Sequence, residues 1–145
     1  MILLLLLVTT TSAFAEPVAA VEALVVERVN EVRRTRGAAP LRVDARLTAL
    51  AREHSCRMAR EEGFSHDTGG TFRERVRAAG IAYRAMGENL AEITTDAEPV
   101  ERAMSAWMKS EGHQANLVSQ EFTTTGVGVC RRERTYYFTQ IFLHP

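Results

Sequence analysis

Apolar positions recur at helical spacing through the first two thirds of the chain and at strand spacing in the last third. Between Pro17 and Arg36, Val21, Val25, Val29 and Val32 fall three or four residues apart, which places them on one helix face. Pro17 suits a first helical turn and Gly37 suits the C-terminal stop. Ala38 to Val43, with Pro40, reads as an extended connection. Asp44 is placed to cap a second helix in which Leu47, Leu50, Ala51, His54 and Met58 share a face, and Gly63 ends it. Thr71-Phe72-Arg73-Glu74 is a capping box opening a short third helix that Gly80 closes. Thr95-Asp96-Ala97-Glu98 reads as a second capping box, starting a fourth helix with Val100, Met104 and Trp107 inward.

The period then changes. Gly126 to Cys130 and Tyr136 to Phe142 are rich in β-formers, and the charged link Arg131 to Arg134 reads as a hairpin turn. Ile81 to Ile93 fits a third strand or a buried loop. Helices first and an antiparallel sheet last predict an α+β layered domain.

Composition narrows the class. A chain of 145 residues, 46% hydrophobic and 25% charged, is long enough to bury a core and has the balance of a folded domain. A formal net charge of zero gives no reason to expect nucleic acid or an anionic membrane as partner. Ile2 to Val8 is a continuous apolar run, followed by small polar residues and Ala13-Phe14-Ala15 before Glu16. This is the layout of an export signal over residues 1–15, leaving residues 16–145 as one mature domain. The run is too short to span a bilayer, and no spanning segment is expected in the mature chain. No lysine or arginine precedes the run, so only the amino terminus supplies its positive charge. Secretion or a periplasmic location puts Cys56 and Cys130 in an oxidising compartment, where an even count favours a bridge over two buried free thiols.

The candidate chemistry sits in three glycine-bearing segments, Gly63-Phe64-Ser65-His66, Gly87-Glu88-Asn89-Leu90-Ala91 and Gly112-His113-Gln114-Ala115-Asn116. Two imidazoles and one carboxylate make a catalytic or ligand-binding set, a base with its orienter, and His66 with His113 makes a candidate pair of metal ligands, Zn²⁺ among the options. Each residue also has a bland reading. His66 also reads as a loop imidazole satisfying backbone groups, Glu88 as a cap on the turn after Gly87, and His113 as an exposed residue after a helix-breaking glycine. Asn116 reads as tying down that turn, His54 as a packed core histidine, and His144 as a solvent residue. Arg73, Arg75 and Arg77 read as a solvated helix face, and Trp107, Phe64 and Tyr137 as core. No His-Glu-x-x-His helix and no nucleophile elbow surrounds any of these groups.

Taken in order, Asn30-Glu31-Val32-Arg33, Pro40-Leu41, Leu47 to Met58, Phe64-Ser65-His66, Gly87 to Ala91, Trp107 to Asn116, Gly126 to Val129 and Tyr137-Phe138-Thr139-Gln140 resemble bacterial members of the CAP superfamily. That superfamily holds cysteine-rich secretory proteins, venom allergens and plant pathogenesis-related proteins. The resemblance covers the mature chain and implies a three-layer α-β-α sandwich around a small central antiparallel sheet, with a cleft lined by histidines and glutamates. Eukaryotic relatives carry two of each, and some hold a divalent metal there. His66 matches the first histidine and Glu88 the first glutamate. The second glutamate position falls on Ser110, with Glu111 one step beyond, and the second histidine falls on Tyr137; His113 looks like a bacterial replacement. The resemblance implies a binding domain for a small ligand, lipid or envelope component, or else a metal-dependent or His/Glu-assisted hydrolase of peptide or envelope substrates.

Overall fold

The computed structural model describes residues 17–61 and 63–145, and the predicted leader at residues 1–15 lies outside them. Helix α1, Val18–Thr35, buries Val21, Val25 and Val29. Strand β1, Arg42–Val43, follows the extended connection and leads into helix α2, Ala45–Glu61. Asp44 caps α2 as expected, its Oδ1 accepting from the Arg46 amide at 2.8 Å. Helix α3, Phe72–Ala78, opens on the predicted capping box, with Glu74 N–H on Thr71 Oγ1 at 3.2 Å and Thr71 N–H on Glu74 Oε2 at 2.9 Å. Strand β2 is Ala85–Thr94, helix α4 is Pro99–Lys109, and helix α5 is Glu111–Val118. Strands β3, Thr124–Arg132, and β4, Thr135–His144, close the chain as the predicted hairpin.

The sheet runs β1-β3-β4-β2, with β4 antiparallel to both long neighbours and only the two-residue β1 parallel to β3. Helices cover both faces, the expected α-β-α sandwich. On one side α1, α4 and α5 bury Val25, Trp107 and Leu117 against Val127, Val129, Phe138 and Phe142. On the other, α2 and α3 bury Leu47, Ala51 and Val76 against Ile141 and Leu143. Strand β4 therefore reads as apolar on both sides, and Tyr137 packs with Met58 and Leu90. The alternation of glycine and valine in β3 has a steric cause. A Cβ on Gly126 or Gly128 would stand 2.2 or 2.1 Å from the α2 backbone, so α2 lies directly on the strand while the valines face α1.

Several expectations need correcting. Thr95 to Glu98 is no capping box: α4 starts at Pro99 after Glu98 in the left-handed region, and Thr95 Oγ1 instead donates to the Ala97 carbonyl at 2.7 Å. Gly112 does not break a helix but lies within α5. Residues 85–94 form a full strand, so Gly87-Glu88 is no turn. Phe64, expected in the core, is 45% exposed.

Arg33, in the Asn-Glu-Val-Arg segment, is buried without an acidic partner among the described residues. Its guanidinium donates to the carbonyls of Ala39 (2.7 Å), Leu117 (3.0 Å), Ser119 (2.8 Å) and Phe122 (3.2 Å). It satisfies the carbonyl end of α5 and fixes that helix against α1. Burial lowers its pKa from the usual arginine value.

Candidate functional site

Strand β2 is the sheet edge, and its alternation decides what meets there. Glu88 turns toward the α2–α3 layer, while Asn89 turns the other way, its Nδ2 donating to the His113 carbonyl at 3.0 Å. Asn116 Nδ2 donates to Asn89 Oδ1 at 2.9 Å, so it ties α5 to β2 rather than tying down a turn. Gly87 leaves room for this, since a Cβ there would stand 2.9 Å from Asn116 Oδ1.

The Glu88 side chain is only 2% exposed, yet it is well supplied with partners. His66 Nδ1 lies 2.9 Å from Oε1, and Arg75 Nη2 donates to Oε1 and Oε2 at 2.9 Å each. His54 Nδ1 stands 3.6 Å from Oε2. The His66 ring is half exposed and opens the group to solvent. Arg75, expected on a solvated face, points inward instead. His54 is packed as expected, but it is packed against the site. Its Nδ1 also lies 3.3 Å from Thr139 Oγ1, which Ser55 joins to the Gly128 carbonyl. A histidine on an apolar helix stripe gave no signal of this. The only hint was that Ser55 beside it is polar on the same buried helix.

His113 comes to the same edge from the opposite layer. Its ring makes no bond to Glu88 among the described residues, but it is near enough that charge on His66 lowers its pKa, after the larger effect of burial. Tyr137 is buried in the core. The cysteine pair is bonded, Cys56 of α2 to Cys130 of β3, with Cα atoms 4.9 Å apart.

A divalent cation fits this arrangement poorly. Both Glu88 oxygens already accept from a guanidinium whose fixed positive charge occupies the cation side of the carboxylate. Among the described residues, no group of three or more histidine, cysteine, aspartate or glutamate side chains is placed to hold a metal ion.

The three imidazoles titrate differently. Burial pushes His54 down to about 4, so it stays neutral, whereas the hydrogen bond His66 donates to the Glu88 carboxylate raises His66. Between pH 6.5 and 4 the unfolded chain takes up a proton that folded His54 refuses, and the lowered His113 acts in the same direction, so stability falls as the pH falls through that window. His66 acts oppositely. Its contribution is complete below 6.5 and is lost as pH rises through its higher folded value. Urea midpoints measured across this range should drop toward pH 4, with a shallower slope in His54→Gln. Equal slopes in both proteins would rule out His54 as the cause.

The family model for cysteine-rich secretory (CAP) proteins matches residues 26–142. The chain belongs to the CAP family. Among its relatives, YkwD of Bacillus subtilis is 39% identical over 122 residues, 83% of this chain and 46% of YkwD. An extracellular Bacillus anthracis protein containing an SCP domain superposes with a TM-score of 0.76 at 28% identity, covering 88% of this chain and 41% of that one. An outer surface protein of Borrelia burgdorferi gives a TM-score of 0.79 at 19% identity, covering 88% of this chain and 94% of its own, a likeness of fold alone. This CAP chain thus spans less than half the length of the curated relatives it matches. Among its described residues no helix is long and apolar enough to cross a membrane.

Proposed function

We propose that this CAP domain works outside the cytoplasm and binds a small polar ligand, such as a peptide, lipid headgroup or cell-envelope fragment, in the cleft formed by His66, Glu88 and His113. The observation that carries this reading is the pairing of a buried carboxylate with a half-exposed imidazole, Glu88 Oε1 to His66 Nδ1 at 2.9 Å. A carboxylate acceptor keeps the proton on Nδ1, fixes the ring and leaves Nε2 to meet a ligand. Export is supported by the apolar leader with its Ala13-Phe14-Ala15 end, by the cysteine pairing, and by the likeness to a Bacillus anthracis protein described as extracellular.

The same dyad favours a second reading, a hydrolase in which His66 Nε2 serves as general base for a water molecule. Neither reading uses a metal. The test is a nuclear magnetic resonance screen of peptides and cell-wall fragments that follows the His66 and His113 ring signals, with turnover assayed on the same samples. A ligand should shift both rings and lose its affinity in His66→Ala. Failure of every fragment class to move either ring would sink the binding reading, and binding without product would remove the hydrolase.

A further inference from the structure

Glu88 is the negative centre of the cleft, so whatever neutralises it decides which ligands the cleft admits. In this chain that group is Arg75. Besides the two bonds to Glu88, Arg75 Nη2 donates to the His66 carbonyl at 2.9 Å, and Nε reaches the Gly70 carbonyl at 3.4 Å. The guanidinium stands 5.4 Å from the centre of the Phe72 ring, and the side chain is 8% exposed. Its other terminal nitrogen, Nη1, is buried with no hydrogen-bond partner among the described residues, so Glu88 rather than solvent holds this charge. The position is built in by the fold, because α3 carries Arg75 and the Thr71–Glu74 capping box sets where α3 begins.

The remaining groups around Glu88 do not reverse this balance. His54 is buried and uncharged, and His113 lies across the edge of β2. Asp67, beside His66 on the loop, is exposed. Arg75 and Glu88 cancel, which leaves the open face to the two imidazoles. A metal ion binding Glu88 would share its oxygens with a fixed like charge in a poorly solvated place.

We propose that Arg75 is a built-in cation that sets the ligand charge of the cleft, closing it to divalent metals and admitting a neutral or anionic group beside His66. This rests on the reading of the cleft as a ligand site, and it narrows that ligand's chemistry.

The test is calorimetric titration of Zn²⁺ at neutral pH into the full chain and into Arg75→Met, while the His66 ring signals are followed. Methionine keeps an unbranched stem against Phe72 and removes the charge. The unaltered protein should show no Zn²⁺ binding that shifts His66. Arg75→Met should bind about tenfold more tightly or better, and adding Glu88→Gln should erase that gain. Arg75→Lys, which keeps the charge, should behave like the unaltered protein. If Arg75→Met does not fold by circular dichroism, the unaltered protein and Arg75→Lys decide the matter. In that case no binding upholds the proposal, and Zn²⁺ binding that shifts His66 and is lost in Glu88→Gln overturns it. A folded Arg75→Met that gains nothing overturns it as well. Neither failure touches the polar-ligand reading, which the peptide and envelope-fragment screen tests separately.

Discussion

Glu88→Gln is expected to lower folding stability by about 3 kcal/mol, because it leaves a buried guanidinium without its counter-charge. Glutamine preserves the size of the side chain, and size alone would leave a weaker site in an intact fold. The structure changes that expectation. Arg75 is 8% exposed and depends on both Glu88 oxygens, and a glutamine amide offers one acceptor where there were two. For a chain of this length the loss corresponds to a drop of about 10 °C in Tm. A second readout separates lost charge from general damage. The Glu88 hydrogen bond is the leading cause of the raised His66 value, so His66 should titrate nearer its ordinary value in Glu88→Gln. The double variant with Arg75→Met should recover part of the loss, since it removes the stranded charge. An unchanged Tm together with an unmoved His66 titration would refute this account of the cluster.

Reduction of the disulfide is expected to cost about 4 kcal/mol, the chain-entropy value for a closed loop of this size. Cys56 and Cys130 are 74 residues apart and join α2 to β3, where the helix rests on Gly126 and Gly128. The bond therefore holds in place the helix that supplies His54 to the site. Guanidinium unfolding with and without reductant should show the loss, and a Cys56→Ala/Cys130→Ala protein should be low in both conditions. The unfolded, non-reduced protein should release no titratable thiol, and two free thiols there would mean that the bond does not form.

Features that depend on near neighbours along the chain were legible before any tertiary contact was known. The valine spacing of α1, the Asp44 cap, the Thr71–Glu74 capping box and the β3–β4 hairpin all rest on contacts a few residues apart. A fixed dihedral pattern leaves its mark on such stretches. Where a local signal failed, a specific neighbour had overridden it. Gly87 looked like a turn, but residues 85–94 pair along their whole length with 135–144. Gly112 looked like a helix breaker, yet it is the second residue of α5, a helix whose far end Arg33, distant in the chain, holds by the Leu117 carbonyl. His66, Glu88 and His113 were legible as polar residues beside glycines, and the two groups that complete the cluster were not. Arg75 sits among alternating arginines that look alike until α3 packs, and His54 sits on an apolar stripe. Which arginine turns inward, and which buried histidine meets a carboxylate, depends on the side of the edge strand that Glu88 occupies. Tertiary structure alone decides that, because the cost of burying a charge is set by partners that arrive from other elements.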